Sequence, residues 1–346
     1  MVDEPLPESL SAEINAVLDD AGVTTDRRLV MRMLRTAILL GEDGADRLDL
    51  KIASAALAEM RDAFRLFAPF RGVPKVTVFG SARTRQDDPL YLQARDVAAA
   101  LAADGWMVVT GAGPGIMQAA AEGAGPELSL GVSIRLPFEE KAHGLVSGQD
   151  HVVAMKYFFT RKLMLIKESS AFICLPGGFG TLDEMFELLT LQQTGKAEPT
   201  PIVLLDQPGG TFWQNMRRFI DESLEPMGVI STGDFDRVVV TDSVDSARAE
   251  IAGFWRNYDS LRWVGDSLVL RLRAEPTDAE IDALNEQFAP MLATGRITRT
   301  APRQPEVADD DVLHLPRLLL HLDQRQVGNL FRLIRAINDL PSAPAQ

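Results

Sequence analysis

Up to about Arg71, apolar side chains recur at mixed spacings of three and four, the period of helices that bury one face. The spacing predicts helices over Leu10–Leu18, Arg28–Leu40 and Leu50–Phe67, with Ile52, Ala56, Met60 and Phe64 four apart on one face of the last. Gly22, Gly41 and Gly44 punctuate them. From Lys75 the pattern changes to short apolar runs at Val76–Phe79, Met107–Thr110, Leu130–Ile134, Ala171–Leu175, Ile202–Leu205 and Val238–Val240. Helical stretches lie between them, at Tyr91–Ala103, Ile116–Glu122, Tyr157–Glu168, Leu182–Gln193, Phe212–Leu224 and Val244–Phe254. Continuous apolar runs joined by crossover helices belong to a parallel sheet covered on both faces.

The fold class expected is therefore α/β, a doubly wound, Rossmann-like parallel sheet whose ligands sit beyond the carboxyl ends of its strands. The local pattern does not give the order of the strands. After about Tyr258 the alternation restarts on a smaller scale. Leu261–Val264 and Ser267–Leu272 form a hairpin through Gly265 and Asp266, Thr277–Leu292 is helical, Arg296–Thr300 and Leu315–Leu322 are further strands, and Arg325–Leu340 closes as a helix. Arg303 to Val312 reads as a polar acidic loop. The expected organisation is a helical N-terminal segment over 1–72, which packs on the main domain or on a second subunit, a Rossmann-like main domain over 73–258, and a small α+β unit over 259–346.

Composition narrows the partners. A chain of 346 residues, 46% hydrophobic, can bury a large core and a smaller one. Its formal charge of -14 and pI near 4.8 repel nucleic acid and anionic membranes, but leave room for one mononucleotide held by local N–H groups. No apolar run is long enough to span a membrane, and the opening MVDEPLPESL is acidic rather than signal-like. The single cysteine, Cys174, sits in an apolar run, where packing is its expected role, and a cytoplasmic location fits. The four histidines, His143, His151, His314 and His321, lack paired metal-ligand spacing, so neither a metal nor a cofactor is expected.

Three of the apolar runs end in glycine-bearing loops: FGSAR with Gly80, Ser81 and Arg83; TGAGPG with Gly111, Gly113 and Gly115; and PGGFGT with Gly177, Gly178, Gly180 and Thr181. Loops of this kind bring backbone N–H groups onto an anion, and a following helix adds the positive end of its dipole. If the three strands are neighbours, the loops make one pocket floor with Ser81 and Arg83 at its rim. A dinucleotide site is disfavoured, because Ile116 stands where a third glycine belongs and the next run ends in Ser133 and Arg135 rather than an acid. No loop ends in the Gly-Lys-Ser/Thr of a Walker A motif.

Thr181 and Glu184 have the spacing of a capping box, and a structural and a catalytic role for Glu184 weigh evenly at this point. Arg161 and Lys162 are adjacent on a helical stretch just before the fourth run. They form a solvated cationic face unless that helix points at the pocket, where an arginine fork suits phosphate or ribose oxygens. Glu139 and Glu140, in LPFEE, read as a loop with possible ligand-edge contacts.

Taken together, TGAGPGIMQAAAEGA, the Arg161-Lys162 pair and PGGFGTLDE resemble the LOG family of cytokinin riboside 5′-monophosphate phosphoribohydrolases, often labelled lysine decarboxylase-like, and in particular its longer bacterial members. The match runs over roughly Val76 to Val240. The resemblance implies hydrolysis of the N-glycosidic bond of a purine nucleoside 5′-monophosphate, releasing free base and ribose 5-phosphate. It also implies that Arg161 and Glu184 are the catalytic pair, that Gly177 to Thr181 is the phosphate loop, that Lys162, Asp183 and Thr190 make further ligand contacts, and that copies of the chain pair as a homodimer or higher homo-oligomer. Asp183 stands where many members carry Glu, and LPFEE replaces a substrate-binding loop of the short plant-type members, so the preferred base stays open. No lysine sits in a recognisable pyridoxal-phosphate setting. The alternative from another class is a non-catalytic nucleotide sensor or carrier built on the same loops.

Overall fold

The computed structural model describes residues 8–135, 151–231, 233–323 and 327–345; Glu139, Glu140 and His143 lie outside the described residues. Two compact units divide at Arg61 and Asp62. The first holds α1 (Glu8–Asp20) and α2 (Arg27–Glu42), and α3 (Arg47–Phe67) begins in it, all three where the apolar spacing predicts them.

The second unit is built on a seven-stranded parallel sheet of β1 (Lys75–Phe79), β2 (Met107–Thr110), β3 (Ser129–Ile134), β4 (Val152–Met155), β5 (Ala171–Cys174), β6 (Ile202–Leu205) and β7 (Val238–Thr241), in the order β4-β3-β2-β1-β5-β6-β7. Six of these match the six apolar runs. β4 is the addition, and it makes the strand before PGGFGT the fifth rather than the fourth. Four residues at a sheet edge, with Ala154 exposed, carry too little periodicity to stand out from their surroundings.

Side chains alternate across the sheet as a pleat requires. Val76, Val78, Val108, Ile173, Val203 and Leu205 face one core with α4 (Pro89–Ala103), α5 (Ile116–Ala124) and α9 (Val244–Phe254). On the other face, Thr77 Oγ1 lies 2.8 Å from the Leu165 carbonyl of α6 (Phe158–Lys167). The remaining helices of this layer are α7 (Phe179–Gln193) and α8 (Phe212–Phe219), which continues as a π-helical stretch, Ile220–Leu224.

Beyond α9 comes an antiparallel sheet in the order β10-β11-β9-β8, from β8 (Tyr258–Val264), β9 (Ser267–Leu272), β10 (Leu292–Arg299) and β11 (Arg317–Leu322). One face packs Leu268, Leu270, Leu272, Leu318 and Leu320 against α10 (Asp278–Phe288) and α12 (Val327–Asn338). The stretch read as an acidic loop departs from expectation. It contains α11 (Gln304–Ala308), and Glu306, on that helix, is fully buried between Arg271 and Arg317 of the sheet. An acid among other acids looks solvated in sequence; its two arginine partners come from separate strands.

Candidate active site

β2, β1 and β5 are neighbours, so the three glycine-bearing turns that follow them meet at one sheet edge. Strand order grows one way from β1 to β4 and the other way from β5 to β7, and the crevice at such a reversal is where open α/β sheets bind ligands. A cleft of about 780 Å³ opens there. Gly80, Ser81, Arg83, Gly111, Arg161, Gly177, Gly178, Gly180, Thr181 and Glu184 line it. Met117, Ile134, Phe158, Phe179 and Phe212 supply an apolar wall.

Arg161 enters from the first turn of α6 and is almost wholly buried. Its Nε donates to the Val132 carbonyl of β3 at 3.0 Å, and its Nη1 lies 3.5 Å from Glu184 Oε1. Gly111 makes this path possible: a Cβ there would sit 1.9 Å from Arg161 Nη2. The helix bearing the basic pair therefore does point at the pocket, through its arginine.

Glu184 stands on α7 with its side chain 13% exposed. Burial pushes its carboxyl up to about 7, against the opposing pull of Arg161 and Lys162. The same burial lowers the Arg161 guanidinium, which the attraction of Glu184 partly offsets. A carboxyl held near neutrality in a cleft has the protonation balance that acid–base and charge-stabilising chemistry uses.

The capping-box reading of Thr181 and Glu184 is corrected here. α7 starts three residues earlier, with Gly178 as N-cap and no side-chain cap, so Thr181 is already inside the first turn and Glu184 is released to face Arg161. The first intrahelical bond that closes on the cap runs from Leu182 N to the Gly178 carbonyl at 3.1 Å. The amides of Phe179, Gly180 and Thr181 precede it and have no acceptor one turn back. Nothing lies within 4 Å of where a Cβ would be at Gly178 or Gly180, so both backbones stand open. Arg83 is exposed on the rim, and among the described residues its guanidinium has no carboxylate partner. Open amides, a positive helix end and a cation without a carboxylate partner among the described residues are groups that attract an anion.

The other sequence-predicted residues fall elsewhere. Lys162 turns away from the cleft into a neighbouring groove, where its Nζ lies 2.6 Å from Asp183 Oδ2 and 2.9 Å from Glu187 Oε2. Thr190 lines that groove as well, with its Oγ1 2.8 Å from the Phe186 carbonyl. Gly113 and Gly115 shape the β2 turn from behind. Gly115 has φ +68°, and a Cβ on it would meet the Ser81 carbonyl at 2.3 Å, so it locks the first turn against the second.

Sequence reasoning overlooked the apolar wall. Phe179 was the readable member, because a large ring between two glycines of a loop has no core to enter; it is 92% exposed. Phe158 and Phe212 open their helices and look like ordinary core positions, but each is exposed at the cleft.

Residues 114–251 match the family described as "Possible lysine decarboxylase". A cytokinin riboside 5′-monophosphate phosphoribohydrolase of Mycobacterium tuberculosis is 33% identical over 176 residues, which is 50% of this chain and 90% of that one. One from Arabidopsis thaliana is 42% identical over 72 residues, 21% of this chain and 32% of that one. Among solved structures, a molybdenum cofactor carrier protein of Chlamydomonas reinhardtii is similar with TM-score 0.36 and 21% identity, covering 52% of this chain and 96% of that one. With 33% identity over 90% of the mycobacterial relative's length, the chain belongs to the LOG family of cytokinin riboside 5′-monophosphate phosphoribohydrolases.

Proposed function

We propose that the cleft hydrolyses the N-glycosidic bond of a purine nucleoside 5′-monophosphate, giving the free base and ribose 5-phosphate. The observation that carries this reading is the Arg161–Glu184 pair at 3.5 Å, set in the wall of a cleft whose floor is three glycine-bearing turns. In this reading the 5′-phosphate sits on the open amides of Phe179 to Thr181, between the Gly80–Ser81 turn and Arg83. The ribose then lies along Glu184. Departure of the base leaves oxocarbenium character on the sugar, which an ionised carboxylate stabilises while it orients the attacking water. Arg161 holds the sugar–phosphate and sets the direction of Glu184. Phe158, Phe212 and Met117 offer apolar faces to a purine ring. Cytokinin nucleotides, the substrates in the names of the relatives, are one subset of this class.

Lys162, Asp183 and Thr190 act in this reading through the groove beside the cleft. Phe158, Phe159, Leu163 and Phe186 are exposed around it on α6 and α7. We place the contact between two copies of the chain on this face, as the family resemblance implies, with a molecule that works in the cytoplasm on a small nucleotide rather than on nucleic acid or membrane. Light scattering on the purified chain tests the dimer.

The deciding assay incubates the protein with AMP, GMP, CMP and UMP and measures ribose 5-phosphate. Release from a purine nucleotide is expected, and it is lost in Glu184→Gln. Tight binding of all four without product would replace the hydrolase with the nucleotide sensor.

A further inference from the structure

A second, smaller cavity lies against the C-terminal half of α7. Its volume is about 130 Å³, and Phe186, Leu189, Ile220, Leu224, Phe235 and Arg237 are among its walls. Voids of about this size lined by Leu, Ile and Phe stay dry and admit a molecule as large as benzene. This one differs in having a polar corner, where Thr190, Gln193 and Asp234 stand beside Arg237.

Arg237 is the cation of that corner, and it is 1% exposed. Its Nε donates to the Asp234 carbonyl at 2.5 Å and its Nη2 to Asp234 Oδ1 at 2.8 Å. Its Nη1 is buried and has no acceptor among the described residues. Asp234 meets the other arm through Oδ1, while its Oδ2 takes Gln193 Nε2 at 2.5 Å and the Ser231 amide at 2.9 Å. A buried guanidinium with one arm unanswered is uncommon in native proteins unless water or a ligand completes it. Ordered water needs two to four polar partners, and the other polar walls are already engaged: Thr190 Oγ1 with the Phe186 carbonyl, Gln193 Nε2 with Asp234, and Asp234 with Arg237 and Ser231 as well. The Ile220–Leu224 wall is π-helical, a distortion that recurs at functional sites.

We propose that this cavity binds a small monocarboxylate with an apolar body, its carboxylate on Arg237 and its hydrocarbon between α7 and the Ile220–Leu224 segment. Occupancy joins two elements. Arg237 stacks 5.7 Å over the Phe331 ring of α12, while Gln193 and Leu189 belong to the helix whose first turn borders the cleft. A bound acid therefore ties the C-terminal unit to α7. The proposal does not depend on the hydrolase reading, because its test measures binding.

The test is calorimetry and thermal unfolding of the full chain with butyrate, isovalerate and benzoate, set against isopentanol and isopentylamine as neutral and cationic counterparts. Saturable binding of at least one acid is expected, with a Tm rise of several degrees and no comparable effect of the alcohol or the amine. Leu189→Trp and, separately, Ile230→Phe fill the cavity from half-buried positions, and each should weaken the acid by about tenfold or more. No saturable binding by any of the acids overturns the site, as does equal binding of the alcohol, or affinity unchanged in a folded cavity-filled variant. If neither variant folds, the acid-against-alcohol comparison on the native chain decides alone.

Discussion

Two buried carboxylates in this molecule meet arginine in opposite ways. Glu184 has one guanidinium at 3.5 Å, with no hydrogen bond closing the pair, and burial leaves its carboxyl up at about 7. Glu306 is more deeply buried, and burial alone would raise it too. The Arg303 amide at 2.9 Å, Arg271 at 2.9 Å and Arg317 at 3.2 Å outweigh burial and hold it below the usual carboxylate range. Depth does not decide what a buried acid does; the number of donors aimed at it does. Glu306 is saturated and serves as a staple between α11 and the sheet. Glu184 is under-coordinated, so substrate has something left to engage.

The sharpest way to break this contrast is to neutralise each acid in turn. Glu184→Gln should lower turnover of the best nucleotide by about 10²–10⁴-fold while the chain still folds, since a positioned acid–base group typically contributes that much. Steady-state release of ribose 5-phosphate reads it. Unchanged turnover would put Glu184 in the same structural class as Glu306.

Glu306→Gln should do the reverse. It leaves Arg317 buried without its countercharge and Arg271 with Asp311 alone, and should cost about 3–5 kcal/mol, seen as an earlier urea midpoint. Turnover per folded molecule should stay within about twofold of wild type, an effect worth well under 1 kcal/mol.

Acidity separates the pair by sign. The stability that Glu184 contributes is present below its unfolded pKa and is lost as pH rises through about 7, because its folded pKa is raised. Glu184→Gln should therefore be more stable than wild type at pH 8, by up to about 3 kcal/mol at roughly 1.4 kcal/mol per pKa unit, and nearly equal to it at pH 4. Glu306, with its folded pKa depressed, contributes stability above its unfolded pKa that is lost as pH falls. Its Gln variant should lose its disadvantage in acid. Thermal unfolding across the pH range reads both, and slopes of the same sign would end the comparison. In activity, kcat/KM should rise with pH to a plateau with a midpoint near 7, if the ionised carboxylate is the working form.

The smallest effect concerns the approach to the pair rather than its charge. Gly111→Ala places a methyl group on the path of Arg161 Nη2 and should raise KM for the nucleotide by about tenfold, with a smaller change in kcat, through a guanidinium pushed off its position. An unchanged KM would mean that Arg161 reaches the substrate by another route.

How much of this was legible varied with the physical origin of each signal. The glycine-bearing turns were legible because an anion-binding backbone demands a residue type that sequence displays directly. Helix spans followed from a period of 3.6 and the main-sheet strands from continuous apolar runs, and β4 escaped because its four residues sit at the sheet edge with Ala154 exposed. The adjacency of β2, β1 and β5 is a tertiary fact, and so is the meeting of Arg161 with Glu184. Glu306 was misread for the same reason: Arg271 and Arg317, which make its burial tolerable, stand far from it along the chain or across a turn. Thr181 and Glu184 show the converse hazard, since a spacing that fits a local motif was recruited for a long-range contact.

β1 lies between β2 and β5, with hydrogen-bonded partners on both flanks. The passage that supplies Gly80 and Ser81 emerges from the ribosome long before the one that supplies Gly177 to Thr181, and it must wait for its second neighbour. On the proposed reading, nucleotide is gripped only once that late strand has docked, so ligand protection during synthesis or refolding would time the closing of the sheet and report nothing about its opening moves.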